Sequence, residues 1–63
     1  MQKNAADQAE AIKGLVVCYN AALSEDKPED RAFWAGLLEQ RQNALGVEVL
    51  DAYTIRLLKN MGQ

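Results

Sequence analysis

Few side chains in this sequence are able to do covalent or acid–base chemistry: one cysteine (Cys18), one serine (Ser24), one threonine (Thr54) and no histidine. A nucleophile needs an activating base within hydrogen-bond reach, and none of the usual pairs can be assembled from this set. Without histidine, and with a single thiol, a thiolate–imidazole zinc site and an internal disulfide are both excluded. Cys18 sits in the most apolar stretch of the chain, where a thiol packs rather than reacts. Acidic pairs occur at Asp7/Glu10 and at Glu25/Asp26/Glu29/Asp30. Paired carboxylates can cleave glycosides or hold a hard cation, but these stand at helix starts, where capping and the helix dipole account for them. The alternating oxygen ligands of a calcium loop are missing. The expectation is therefore a protein with no catalytic residue, no metal and no cofactor.

The elements that carry these residues read as three helices. Residues 1–4 are polar and expected to fray; Asn4 is a candidate N-cap for a helix over 5–23. Within it Ile12, Val16, Tyr19 and Leu23 recur at spacings of four, three and four, with Leu15 and Ala22 widening the stripe. Val17, Cys18 and Ala21 fall outside it, so this helix is apolar over more than one face. Gly14, Cys18 and Ala21 are either indifferent small residues or a shallow groove for a second helix. Ser24–Lys27 is a turn, followed by Pro28 in the first position of a second helix over 28–45, with Asp26 and Glu29 a candidate capping box. That helix carries two apolar rows: Phe33, Leu37 and Ala44, and Trp34, Leu38 and Leu45, with Arg41 between them. Arg31, Ala35, Glu39, Gln42 and Asn43 are assigned to its wet face. Gly46 reads as a left-handed C-cap, the alternative being one continuous helix through it. A third helix over 47–61 gathers Val47, Leu50, Tyr53, Thr54, Leu57, Leu58 and Met61 on one side. Tyr19 and Tyr53 are expected in the core with their hydroxyls at its edge.

Sixty-three residues allow one domain, spanning 1–63. Such a chain buries only about 60% of its unfolded surface, so disulfides, metals or oligomerisation usually reinforce it. With the first two excluded, self-association through Ile12, Val16, Val17, Tyr19 and Leu23 is expected. The fold class expected is all-α: a small helical hairpin or three-helix domain forming a homodimeric bundle. A net charge of −2 argues against nucleic acid as the main partner. No apolar run reaches the ~20 residues of a membrane span, and the first residues lack the apolar core of a signal peptide. A lone cysteine suits the reducing cytoplasm, of a cell or of one infected by a phage.

Leu45-Gly46-Val47, followed by Thr54-Ile55 and Leu57-Leu58-Lys59, resembles the turn and second helix of helix-turn-helix DNA-binding proteins. The resemblance covers residues 45–59. It implies a dimeric transcription regulator whose third helix enters the major groove, with Arg56 and Lys59 as contacts. Two features depart from that pattern. Gln42 stands four residues before the glycine, where a small residue lets the helices cross, and the connecting Glu48-Val49-Leu50-Asp51 is acidic and apolar. The reading preferred on the residues is a non-catalytic regulator, inhibitor or adaptor that docks onto a larger protein and occludes a functional surface. Trp34, Leu38, Arg41 and Leu45 are its candidate partner-binding residues, since Trp and Arg dominate interface hot spots. A structural subunit of a phage or helical assembly is the remaining alternative.

Overall fold

The computed structural model describes residues 5–62, and side chains from Asp7 onward. The expected fraying of residues 1–4 and the capping role of Asn4 lie outside the described residues. Three helices follow one another: α1 (Ala5–Ser24), α2 (Pro28–Leu45) and α3 (Ala52–Asn60). The described residues contain no strand. Each boundary has a local cause. The Ser24 hydroxyl donates to the Asn20 carbonyl at 2.6 Å, and Arg31 Nη1 donates to the Glu25 carbonyl at 2.8 Å, so a cation from α2 covers the carbonyl end of α1. Pro28 opens α2, but the expected Asp26–Glu29 capping box does not form. The N-cap is Lys27, held extended (φ −92°, ψ 135°) by the proline after it, with no side-chain cap.

At its other end α2 stops in a Schellman motif. Gly46 takes φ 71°, its N–H donates to Asn43 O at 3.2 Å, and Val47 N–H donates to Gln42 O at 3.0 Å. The helix is not continuous through Gly46. Nor does the third helix begin at residue 47: residues 47–51 are irregular, and α3 starts after Asp51. The Asp51 carboxylate accepts from Thr54 N at 3.1 Å and from the Thr54 hydroxyl at 2.6 Å. Val47 and Val49, β-branched and poor helix formers, lie in the connection instead of on a helix face.

α1 and α2 form an antiparallel hairpin, α3 packs back along α2, and α1 and α3 barely touch. The interior has two parts. Leu15 and Cys18 of α1 meet Leu38 of α2, bordered by Tyr19, Trp34, Leu37, Leu45 and Leu50. Towards the turn, Ala22, Ala35 and Leu58 meet beneath Trp34 and Leu50. The inward stripe of α1 is therefore Leu15, Cys18 and Ala22, and that of α2 is Ala35, Leu38 and Gln42, each at spacings of three and four. This corrects the expected faces. Ala35 and Gln42 point inward from what the sequence suggests is the wet side, while Phe33 is 61% exposed. Ala22 and Ala35 carry almost no side chain, so the helices approach closely there and Leu58 fills the space. On α3 the buried residues are Ile55 and Leu58, whereas Tyr53 is 67% exposed and joins no core.

Candidate functional site

Three outward surfaces remain once the interior is assigned. On α1, Ile12, Val16 and Leu23 are each about half exposed, with half-buried Tyr19 completing their row; Val17 is exposed beyond it. On α2, exposed Phe33 meets the half-buried Trp34 edge-on, ring centroids 5.5 Å apart at 81°. On α3, Tyr53, Leu57 and Met61 recur every fourth residue and all face outward. Ten large apolar side chains are exposed among the described residues, more than the seven apolar residues that make the core. Isolated exposed apolar residues are ordinary, but contiguous rows of them mark contact surfaces.

The four candidate partner-binding residues separate. Trp34 is partly exposed and borders both halves of the core, so its ring is held by packing while one edge faces out. Leu45 is half-buried at the end of α2. Arg41 is exposed, and its guanidinium lies over Gly14: a Cβ on that glycine would stand 3.4 Å from Arg41 Nη1. Gly14 thus makes room for a side chain of its own chain. Leu38 is fully buried against Leu15 and Cys18 and presents no surface to a partner. The expectation for Leu38 is corrected: its row is apolar in sequence, but the middle of that row faces α1.

Beside Ile12 a cleft of about 330 Å³ opens between the first half of α1 and the end of α2, lined chiefly by Ala11, Ile12, Leu15, Leu45 and Val47. It holds no charged side chain and offers shape rather than chemistry. Among the described residues no three His, Cys, Asp or Glu side chains gather as a metal site would require. Cys18 is buried and unpaired. The Thr54 hydroxyl, then the Thr54 N–H, hold the Asp51 carboxyl below the ordinary aspartate value of 3.8. Its role is to start α3. No helix among the described residues is long and apolar enough to cross a membrane.

Of the two residues expected to contact DNA, Lys59 is bonded to Glu39 at 2.8 Å, tying α3 to α2 across the surface. Arg56 is exposed. Sequence reasoning misses Gln42. Only 5% exposed, it donates from Nε2 to Leu50 O at 2.9 Å and accepts at Oε1 from Val49 N at 3.1 Å and Leu50 N at 3.2 Å. The signal was its spacing: Leu38 follows Ala35 by three residues and Gln42 follows Leu38 by four, one stripe of a helix.

Comparison of the chain with protein families, with curated proteins and with solved structures gives no significant match.

Proposed function

We propose that this chain is a non-catalytic protein-binding module, a regulator, inhibitor or adaptor of the size phages encode, that lays an apolar helix surface on a larger protein and occludes it. The observation that carries this reading is the imbalance between a thin interior and the outward rows on all three helices. Phe33 and Trp34 are the anchor of the docking surface: two aromatic rings locked edge-on, one exposed and one backed by the core. Rigid aromatic groups bind at low cost in conformational entropy and dominate interface energetics. Arg41, stretched over Gly14, supplies a cation at the rim.

The DNA-binding alternative is less favoured because α3 turns Tyr53 and Leu57 outward and Lys59 is held by Glu39. Affinity capture from the cells that carry the gene tests the choice. A protein partner that stays bound in molar salt and is lost with Phe33→Asp supports docking. Capture of nucleic acid that washes off as salt rises, and that fails with Arg56→Ala plus Lys59→Ala, overturns it. Sedimentation over a concentration series separates a closed species from the open-ended polymer of a structural subunit.

A further inference from the structure

We infer that the face of α2 beneath α3 is a binding site for a short helix, and that α3 is its resident, displaceable occupant. The helix it takes has the chemistry of α3: two aliphatic side chains three residues apart, a lysine directly after the second, and a glycine three residues beyond the lysine. This surface is separate from Phe33 and Trp34, and the inference does not depend on the docking reading.

The site follows from what α2 offers in one row. Ala32, Ala35, Glu39 and Gln42 are spaced by three, four and three residues, which aligns them along one face. Each meets a different part of the returning segment. Gln42 bonds the backbone of Val49 and Leu50, and Glu39 pairs with Lys59 at 2.8 Å. Ala35, with Ala22 of α1, receives Leu58, and Ala32 lies against Gly62. The fit at that last position is close: a Cβ on Gly62 would stand 2.7 Å from the Ala32 Cβ and 3.3 Å from the Glu29 Cα. The row thus specifies its occupant by shape at two alanines and by polar contacts at Glu39 and Gln42.

Displaceability follows from how little else holds α3. It has nine residues, too few to persist as a helix alone, and it barely touches α1. Its buried residues are Ile55 and Leu58. The α1–α2 hairpin keeps a core of its own in Leu15, Cys18 and Leu38, bordered by Tyr19, Trp34, Leu37, Leu45 and Leu50, none of them in α3. The connection 47–51 then serves as a hinge, and α3 opens as a unit while the hairpin stays folded.

A labelled peptide of residues 47–62, titrated into the full chain and followed by fluorescence anisotropy, tests this. On its own tether α3 competes at an effective concentration of about a millimolar, so the wild type should be half-saturated by peptide near that value. Gly62→Ala in the chain crowds its own α3 off the row, and overpacking of that kind amounts to about tenfold or more. Peptide affinity should then rise about tenfold, and adding Ala32→Gly, which removes the opposing methyl, should return it towards the wild type. A peptide carrying Leu58→Ala should bind about tenfold more weakly or worse. In the wild type, the amides of α3 should exchange faster than those of Cys18 and Leu38. The inference is overturned if Gly62→Ala leaves peptide affinity unchanged, if the Leu58→Ala peptide binds equally well, or if α3 and hairpin amides exchange at one common rate. A Gly62→Ala chain that unfolds altogether overturns it too, since the hairpin would then not stand without α3.

Discussion

Replacing Gln42 with leucine isolates the contribution of one buried amide. Leucine is at least as good a helix former as glutamine and of similar length, so neither propensity nor gross packing is lost. What disappears is a donor and an acceptor that together make three hydrogen bonds of 2.9–3.2 Å to the backbone of Val49 and Leu50. Each such bond contributes about 0.5–1.5 kcal/mol net, and a buried polar group left without a partner costs about 1–3 kcal/mol. Val49 is 39% exposed, so water replaces the amide at its N–H, and the loss concentrates at the N–H and carbonyl of half-buried Leu50. The expected destabilisation is about 2–3 kcal/mol. In a domain whose core supplies only about 3–5 kcal/mol, that is most of the available stability. Thermal melts followed by circular dichroism should show the midpoint falling by roughly 10–20 °C. Hydrogen exchange should show Leu50 N–H losing protection before the α1–α2 hairpin opens. Gln40→Leu, at an exposed site on the same helix, is the control and should stay within about 0.5 kcal/mol. A Gln42→Leu chain as stable as the wild type would refute the account of the 47–51 connection as a segment held by that amide.

Glycine replacements should diverge in sign, read by the same melts. Gly46→Ala forces a Cβ into φ 71° and should cost about 1–2 kcal/mol, whereas Gly14→Ala should stabilise α1 by up to about 1 kcal/mol, since Arg41 meets the new methyl only with the movable end of its side chain. The start of α3 should loosen in acid. Because Asp51 titrates below 3.8 in the folded chain, its contribution is complete above that value and is lost as pH falls through the folded pKa; Asp51→Asn should flatten the pH dependence of Thr54 N–H exchange. Lys59→Ala should cost under about 1 kcal/mol and lose its effect in high salt, because the ion pair with Glu39 is 45% and 37% exposed on its two sides.

Helix extents were legible in the sequence wherever a local signal sets them. Pro28, Gly46 and the alanine-rich start fix α1 and α2 to within a residue at the ends that can be compared. The late start of α3 was missed, although Asp51, three residues before Thr54, is a strong N-cap pattern; the apolar residues Val47 and Leu50 drew the boundary too early. Helix faces were harder, for a physical reason. Ranking faces by apolarity selects the oiliest row, but close packing selects complementary shapes. Ala22 against Ala35 lets two backbones approach, and Gln42 is admitted to the interior because its polar atoms are all used. Phe33, at 61% exposed, consequently lies outside, where apolarity alone would not have put it. The candidate contact residues divided along the same line: Trp34 and Arg41 reach the surface and Leu38 does not.

The likeness of residues 45–59 to a helix-turn-helix element can be weighed from the same atoms. Leu45-Gly46-Val47 ends α2 in a Schellman motif, a device that helices use irrespective of what they bind. That part of the likeness therefore reports how a helix stops. The informative position is Gln42, where a small residue would let a following helix cross tightly. Here its side chain fills the elbow and hydrogen-bonds a connection of five residues, 47–51, before α3 begins. The return of α3 along α2 then brings Lys59 to Glu39 and seals Ile55 and Leu58 inside, so the residues left facing solvent include Tyr53 and Leu57. Arg56 also faces outward, but it stands among Tyr53 and Leu57, whereas a helix that contacts phosphates and base edges presents several cations and polar groups together. The local motif and the surface it delivers thus point in different directions, and the surface is what a partner meets.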